Sequence, residues 1–225
     1  MGQFIAIEGG DGSGKGTQTK LLVDYLRSKT NMDVLQLSFP RYGKDSAYYA
    51  ERYLNGAYGA DSNSIDPELA SLAYAIDRAG AADEIRAHLD KPNSIVVTDR
   101  YVASNFAHQG VKINDINERR KFYERTMTTE YEVLGFPRPT KNIVLLVPAD
   151  VSQQNVDKKS ARVYTDKKRD LHEADKNHLE LAKRNYEELC QLYPQEFIAL
   201  NCMSGGGQMR SIEDIQADIR QIISV

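Results

Sequence analysis

The chain has 225 residues, of which 41% are hydrophobic and 27% are charged, a composition that excludes a largely disordered protein. Its 29 basic and 32 acidic residues give a net charge of −3. That balance disfavours a nucleic acid as partner, because nucleic-acid-binding proteins usually carry a basic excess.

A membrane partner and a zinc site are also disfavoured. No apolar run approaches the roughly 20 residues that span a bilayer, and the start of the chain has no signal-peptide pattern. Cys190 and Cys202 are not a Cys-x-x-Cys pair, which argues against a zinc site. We therefore expect reduced thiols and a cytoplasmic protein.

Short apolar runs predict five strands, with helical patterns between them. The runs are continuous rather than alternating, as in strands that are buried on both faces. Strand–helix alternation then predicts a parallel sheet with helices on both of its faces. No linker divides the chain, so we expect one α/β domain over residues 1–225. The predicted strands are 4–7, 34–37, 95–97, 143–147 and 197–200.

Three helix starts can be read from the sequence. Residues 15–29 form a helical pattern after a glycine-rich turn. Asp66 can cap a helix whose first turn holds Pro67, since the missing N–H of proline costs nothing there. Ser211 and Asp214 resemble a capping box at the start of a final helix.

The strongest motif is G-x-x-x-x-G-K, formed by Gly9, Gly14 and Lys15 between the first strand and the first helix. Glycines let backbone N–H groups surround phosphate oxygens, and the helix N-terminus adds positive charge. Lys15 supplies a mobile cation for the β- and γ-phosphates. The motif predicts a nucleotide-binding loop made of Gly9, Gly10, Asp11, Gly12, Ser13, Gly14, Lys15, Gly16 and Thr17.

Two oxygen donors are candidates for holding magnesium. Gly16 follows the motif lysine, so the nearest hydroxyl is one residue later, on Thr17. The strand at 95–97 leads to Asp99, and a carboxylate at the end of such a strand holds hydrated Mg²⁺ near phosphates in nucleotide-binding folds. Arg100 comes next, at the carboxyl end of the strand, where α/β sheets bind ligands. Its guanidinium can bind two phosphate oxygens at once.

A phosphate-binding loop alone does not distinguish kinases, GTPases and motor proteins. The sequence has no N-K-x-D motif of the kind that reads guanine, and it is small for a motor, so small kinases remain. Four further stretches resemble the thymidylate kinase family, in the family's order: FPRY at 39–42, LAYAIDRAG at 72–80, DRYVASNFAHQG at 99–110 and RDLHE at 169–173.

This resemblance implies a P-loop kinase fold with a mobile lid at approximately 152–172. It implies transfer of the γ-phosphoryl group from ATP to dTMP, with Mg²⁺, giving dTDP and ADP. It also implies a homodimer formed through helices, although the residues do not identify the face.

The family's site residues carry over by position. Asp11 would meet the 3′-hydroxyl of the acceptor sugar, and Arg41 and Arg100 would clamp the acceptor phosphate. Tyr74 would stack on thymine, Arg78 would bond O4 of the base, and Asn105 would contact the base. The remaining walls of the substrate site would be Phe39, Tyr42, Ser104, His108 and Gln109.

Helical geometry agrees in part with these roles. Tyr74 and Arg78 are four residues apart and share a helix face. Ile85 and Leu89 return to the same side further along, so for Tyr74 alone core packing stays as open as base stacking. That face points away from an apolar stripe, which we expect to be the core side, and Arg78 needs a partner because a charge on an apolar helix is costly. The stripe consists of Leu69, Leu72 and Ile76.

Charge dictates the expected mechanism. The acceptor phosphate has a second pKa of about 6. It is therefore already mostly dianionic at pH 7 and needs no general base to remove a proton. Catalysis then rests on cations that stabilise the transition state. Gly12 stands where some family members have an arginine, so we expect lid cations from the basic stretch at 158–169. The predicted catalytic residues are Asp11, Lys15, Arg100, Arg162 and Arg169.

Alternatives remain open at this point. A deoxynucleoside kinase would need a carboxylate base, commonly a glutamate after the second strand, where this chain has Phe39-Pro40-Arg41. Another pyrimidine monophosphate kinase and a non-catalytic nucleotide-binding regulator are further readings. His108 replaces the Tyr or Phe that the family usually has near the sugar's 2′ position, which leaves the exclusion of ribonucleotides open.

Overall fold

The computed structural model describes residues 2–29, 31–59, 64–157 and 176–223. The predicted lid cations Arg162 and Arg169 and the RDLHE stretch lie outside the described residues. The predicted lid at 152–172 begins within a helix and otherwise also lies outside them.

Strands and helices alternate along the chain, as the sequence predicts. Each predicted strand is confirmed to within two residues at either end. Among the described residues, no helix combines the length and apolar character that crossing a membrane requires. In chain order the elements are β1 (Gln3–Gly9), α1 (Lys15–Ser28), β2 (Asp33–Ser38), a 3₁₀ turn (Asp45–Ala47), α2 (Tyr48–Leu54), α3 (Pro67–Leu89), β3 (Ser94–Asp99), α4 (Ala103–Gly110), α5 (Ile116–Met127), a π-helix (Thr128–Val133), β4 (Lys141–Leu146), α6 (Ala149–Asp157), α7 (Lys176–Leu192), β5 (Phe197–Asn201) and α8 (Ile212–Ile223).

The five strands form one parallel sheet in the order β2-β3-β1-β4-β5, which confirms the predicted fold class. β1 lies between β3 and β4, and Ile7 pairs with Asp99 across the β1–β3 ladder. The loop after β1 and the turn after β3 therefore leave the sheet side by side. Ligands of α/β sheets bind at this carboxyl edge.

Burial follows position in the sheet. β1, β3 and β4 are almost continuously buried, whereas the edge strands β2 and β5 are partly exposed. One hydrophobic core lies between the sheet and helices α3, α4, α5 and α7, and the other lies between the sheet and helices α1 and α8. Helices therefore cover both faces, as predicted.

The predicted helix starts are confirmed. Asp66 Oδ1 accepts hydrogen bonds from the backbone N–H groups of Glu68 and Leu69, at 2.9 and 3.1 Å, and α3 begins at Pro67. Ser211 Oγ accepts one from the N–H of Asp214 at 3.0 Å, immediately before α8. Each cap satisfies N–H groups that have no partner within the helix.

The predicted core stripe of α3 is wrong. Leu69, Leu72 and Ile76 are 65%, 44% and 44% exposed. The helix instead buries alanines and Ile85, because small side chains let it lie close to its neighbours. The buried alanines of α3 are Ala70, Ala73, Ala75, Ala81 and Ala82.

Candidate active site

The phosphate loop joins β1 to α1, and α6 lies against it. Gly12 and Gly14 have left-handed backbone conformations, with φ of 80° and 91°, which glycine adopts without strain. A Cβ on Gly12 would lie 2.0 Å from the carbonyl oxygen of Ser152 in α6. Asn155 of the same helix donates to the carbonyl of Gly12 at 2.9 Å. The loop therefore has no room for an arginine at position 12.

Lys15 lies within this loop, at the first position of α1. Its Nζ donates to the carbonyl of Gly10 at 2.7 Å, and the side chain is buried. The ammonium and the N-terminus of α1 thus place positive charge inside the loop, where a bound phosphate would be neutralised.

Asp99 ends β3 beside the loop. Its Oδ1 is buried without a hydrogen-bond partner among the described residues, and its Oδ2 lies 3.2 Å from the place where a Cβ on Gly16 would be. A buried carboxylate oxygen that lacks a donor fits a divalent cation, because such an oxygen is costly unless it is paired. The described residues hold no cluster of three potential metal ligands. One carboxylate fits Mg²⁺, which usually binds through one or two carboxylates together with waters and substrate phosphates.

Thr17 borders a second cleft beside the loop. This cleft has a volume of about 750 Å³. Its lining residues come from the loop, α1, α6 and the segment before α8. They are Gly12, Gly14, Thr17, Gln18, Asn155, Met209, Ile212 and Ile215.

Arg100, directly after β3, is the central cation of the site. Its backbone is left-handed, with φ of 66°, a conformation that is uncommon outside glycine. The guanidinium donates to Asp11 Oδ1, to the carbonyl of Gly9 at 3.3 Å and to Ser104 Oγ at 3.3 Å. Burial alone would lower the pKa of Arg100, but the carboxylate of Asp11 and other acidic groups raise it well above its usual value.

Glu8 anchors the turn that carries Arg100. Its buried carboxylate accepts hydrogen bonds from the N–H of Tyr101 at 2.7 Å, Ser104 Oγ at 2.8 Å and the hydroxyl of Tyr186 at 2.9 Å. Burial raises the pKa of Glu8, while these donors and Arg100 oppose that increase. Sequence reasoning missed the contact between Glu8 and Tyr186, because the two residues are 178 positions apart in the sequence.

His108 links Arg100 to α7. Its Nε2 lies 3.2 Å from Arg100 Nη1, and its Nδ1 lies 3.2 Å from His178 Nε2. A guanidinium can only donate, so His108 Nε2 accepts and its Nδ1–H donates to His178. Sequence reasoning did not identify His178, which sits in the first turn of α7.

A cleft of about 560 Å³ opens beside Arg100. It brings together most of the predicted substrate residues, together with the unpredicted Pro40, Leu54 and Tyr101. The predicted residues that line it are Asp11, Phe39, Tyr42, Tyr74, Arg78, Arg100, Ser104, Asn105, His108 and Gln109.

Arg41 was predicted beside the acceptor phosphate, but it is not among the residues lining this cleft. Its Nε donates to Asp77 Oδ1 at 3.1 Å, and its backbone N–H donates to Asp77 Oδ2 at 2.6 Å. Its Nη2 donates to Ser46 Oγ at 2.8 Å. Asp77 is buried in α3 and holds the guanidinium at the rim of the cleft, next to Pro40.

Aromatic rings form two walls of the cleft. Tyr74 is half-buried and makes an edge-on contact with Tyr53, with ring centroids 5.9 Å apart. Phe39 packs edge-on against Tyr101 at 5.6 Å. Edge-on packing of this kind fixes ring orientation, so the cleft offers preformed apolar surfaces to a planar ligand.

A buried polar network closes the inner end. Arg78 donates from Nε to Glu130 Oε2 at 2.5 Å and from Nη2 to Glu130 Oε1 at 2.6 Å. Asn105 Nδ2 donates to the same Oε1 at 2.8 Å and to the carbonyl of Ser71 at 3.2 Å. Burial favours the neutral form of Arg78, but Glu130 outweighs it and raises the pKa of Arg78. The sequence showed that Arg78 needs a partner but did not identify Glu130.

Known proteins resemble this chain throughout its length. The sequence profile of the thymidylate kinase family matches residues 7–200. The thymidylate kinase of Mycobacterium tuberculosis is 36% identical over 150 residues, which are 66% of this chain and 68% of the relative. The probable thymidylate kinase of Pyrococcus horikoshii is 29% identical over 99% of this chain and 96% of its own.

The fold has a counterpart among solved structures. The thymidylate kinase of Candida albicans superimposes with a TM-score of 0.69 over 99% of this chain and 91% of its own, at 20% sequence identity. At that identity the likeness shows the fold. The family profile covers most of the chain, and the chain therefore belongs to the thymidylate kinase family of nucleoside monophosphate kinases, which phosphorylate dTMP to dTDP.

Proposed function

We propose that the 560 Å³ cleft binds dTMP and that the phosphate loop presents the γ-phosphate of ATP to it. One observation carries this proposal: the ion pair between Asp11 and Arg100 joins the loop to the cleft. An acceptor phosphate beside Arg100 would lie next to the cations that hold the donor. The second cleft, with Thr17 and Met209, would receive the rest of the ATP molecule.

The polarity of the cleft supports a nucleotide that lies lengthwise. Arg100 and Lys15 provide cations at the end near the loop, where we place the acceptor phosphate. Arg78 and Asn105 provide polar groups at the inner end, where we place the base, with Tyr74 and Phe39 beside the ring. Asp11 lines the cleft beside Arg100, and we place the sugar hydroxyl next to it.

Cations drive the proposed chemistry. An acceptor phosphate with a second pKa of about 6 is already mostly dianionic at pH 7, so the barrier comes from bringing two anions together. Lys15 and Arg100 would lower it by stabilising the transition state. Arg41 would act as a second clamp from the rim, positioned by Asp77.

Lid arginines and magnesium would supply the remaining positive charge. We assign the lid to approximately 152–172 of a single domain that spans residues 1–225, with Arg162 and Arg169 as its cations. The absence of space for a side chain at Gly12 supports this assignment, because it removes the alternative source within the loop. Asp99 and Thr17 would hold Mg²⁺, which supplies charge neutralisation when bound.

Coupled measurement of ADP release tests the proposal. We expect turnover with dTMP and none with thymidine. A free hydroxyl would need a carboxylate base, and Phe39-Pro40-Arg41 stands where deoxynucleoside kinases commonly have one, while Asp11 and Asp77 are paired with Arg100 and Arg41. Turnover of thymidine without dTMP would support a deoxynucleoside kinase, and ATP binding without turnover would support a regulator. Comparing dTMP with dUMP and UMP would show whether His108 still excludes ribonucleotides.

The lid assignment has its own test. Arg162→Ala should lower kcat far more than it weakens dTMP binding, because a lid cation acts mainly on the transition state. An unchanged kcat would remove Arg162 from the catalytic set.

We further propose a cytoplasmic homodimer. The exposed apolar stripe of α3, made of Leu69, Leu72 and Ile76, supports a contact with a second copy, because a contiguous exposed apolar patch marks an interaction surface. Cys190 and Cys202 are both free thiols, which suits a reducing compartment.

A further inference from the structure

We infer that Glu130 is the positioning residue that makes the cleft select a 4-oxo pyrimidine over a 4-amino pyrimidine. Glu130 would not touch the nucleotide. It would fix the orientation of the two side chains that do, Arg78 and Asn105. This inference rests on the proposed function and identifies what determines the choice of base at that site.

The argument begins with the amide of Asn105. Its two hydrogen-bond partners are the carbonyl of Ser71 and Oε1 of Glu130, which can only accept hydrogen bonds. Both lie within reach of the Asn105 Nδ2, at 3.2 and 2.8 Å. The reversed amide would direct its oxygen at two acceptors. Asn105 is therefore held with its NH₂ group toward the protein, and Oδ1 is the amide atom left for a ligand in the cleft.

The same carboxylate orients Arg78. Two of its nitrogens, Nε and Nη2, are engaged by the two oxygens of Glu130, in the bidentate geometry that fixes a guanidinium plane. Nη1 is the remaining nitrogen, and Arg78 lines the cleft. The inner end of the cleft thus presents one donor, from Arg78, and one acceptor, from Asn105.

This donor and acceptor match one type of pyrimidine edge. Thymine and uracil carry a carbonyl acceptor at C4 next to an N–H donor at N3. Cytosine carries an amino donor at C4 next to an acceptor at N3. Its donor would therefore face the donor of Arg78, and its acceptor would face the oxygen of Asn105. A buried site built for one hydrogen-bond pattern rejects the other strongly, since the site's polar groups are then left unpaired.

Only a carboxylate at position 130 can hold this arrangement. Glu130 accepts three hydrogen bonds and donates none. Glutamine has the same shape but one NH₂ group, which would face a donor of Arg78 in either orientation. When the glutamine NH₂ takes the place of Oε1, it would also face the amide of Asn105. The Asn105 amide would then favour the reversed orientation, with its own NH₂ toward the cleft.

The two charged members of this network are almost fully buried. Glu130 and Arg78 are 1% and 2% exposed, so water cannot replace a lost partner. Glu130 belongs to the π-helix that follows α5, and insertions of this kind are frequent at functional sites. The π-helix brings a carboxylate from a distant part of the chain beneath the proposed base.

The experiment compares two acceptors that differ only at the recognised edge, dTMP and 5-methyl-dCMP. Selectivity is the ratio of their kcat/KM values, which we expect to be about 10³ or more for the unmodified enzyme. Glu130→Gln should reduce this ratio at least about tenfold, as for loss of a hydrogen bond to a charged group. The loss should arise from a higher KM for dTMP with little change in kcat, because the phosphate end of the cleft is untouched.

Two further variants make the result decisive. Glu188→Gln alters another largely buried carboxylate that binds an arginine, Arg119, outside the cleft, and should leave the ratio unchanged. Glu130→Asp keeps the charge but is one methylene shorter, so it should lower the ratio at least about threefold, and it decides the matter if Glu130→Gln does not fold.

The outcomes separate this inference from the proposed function. An inactive unmodified enzyme would overturn the function itself. An active, selective enzyme whose folded Glu130 variants keep the original ratio would overturn only the role of Glu130. A ratio that falls equally in Glu188→Gln would also overturn it, because the effect would then not belong to the network.

Discussion

Arg100 is held from two directions. Its left-handed backbone is fixed by the turn that Glu8 binds, and its guanidinium is fixed by Asp11, Ser104 and His108. A backbone conformation of this kind costs about 1–3 kcal/mol and persists where the surroundings determine it. Such positions are frequent at functional sites, which agrees with a pre-organised cation.

Removing this cation tests its role. Arg100→Met should lower kcat/KM for dTMP by about 10²–10³-fold, the range seen when a single group that stabilises a transition state is lost. Steady-state kinetics would show the change. Arg119→Met is a matched control, since Arg119 pairs with Glu188 outside the cleft. Equal losses in the two variants would indicate a general effect on folding.

Glu8 links protonation to stability. Its folded-state pKa is raised from 4.5, so the stability associated with its protonated form is present below about pH 4.5 and is lost as the pH rises through the folded-state pKa. The hydroxyl of Tyr186 limits that loss by donating to the carboxylate.

Tyr186→Phe should therefore destabilise the protein more at high pH than at low pH. We expect a loss of about 1.5–3 kcal/mol in the free energy of unfolding at pH 8, where a charged acceptor loses its donor, and about 1 kcal/mol near pH 4.5. Urea unfolding across this range measures both. Tyr123→Phe removes another buried hydroxyl, on α5, and should show no such increase with pH. A pH-independent loss in Tyr186→Phe would contradict the role of Glu8.

The long-range hydrogen-bond partners of the site residues could not be predicted from the sequence. The nucleotide loop, Asp99 and Arg100 could be predicted because each lies within a local motif. Glu130 and Tyr186 could not, because each bonds to residues that are far away along the chain. A buried charge signals that a partner exists, and only the fold shows which one.

Among the elements, α6 has an unexpected role as a cover for the phosphate loop. Its Ser152 carbonyl occupies the space of a side chain at Gly12, and its Asn155 binds the carbonyl of that glycine. The loop is thereby confined between α6 and the sheet.

Gly12→Ala tests this confinement. The new Cβ adds a left-handed strain of about 1–2 kcal/mol and a collision with α6, so we expect a loss of stability above that range and a higher KM for ATP. Gly135→Ala is the control, because Gly135 has φ of 64° and nothing within 4 Å of the added Cβ. Chemical unfolding and ATP kinetics give the two readouts. Similar losses in both variants would mean that strain alone, and not contact with α6, is responsible.

The positions of strands and helix starts were predicted better than the face that a helix buries. Apolar runs located all five strands, and the Asp66 cap located the start of α3. The core face of α3 was assigned wrongly, because periodicity gives most weight to large apolar residues. Here the alanines face the core, and Leu69, Leu72 and Ile76 face outward. Sequence periodicity cannot tell a core from an interface when a helix carries apolar residues on two sides.

For the whole molecule, the exposed stripe of α3 predicts the oligomeric state. Leu72→Glu should convert a dimer into a monomer, since it places a charge in the centre of the proposed contact. Analytical ultracentrifugation would measure this. Ile212→Glu, at an exposed position of α8 on the opposite side of the sheet, should leave the dimer intact. A monomeric unmodified chain would contradict the proposed dimer.

Helix α7 reaches the cleft at two points. His178 in its first turn bonds to His108, and Tyr186, two turns further on, bonds to Glu8. Both contacts end at groups that hold Arg100. A shift of α7 by a single residue along its axis would break the two together. The position of α7 along its own axis therefore determines where Arg100 is held. Insertions or deletions in the segment before α7 should be tolerated only if they keep α7 in register with α4.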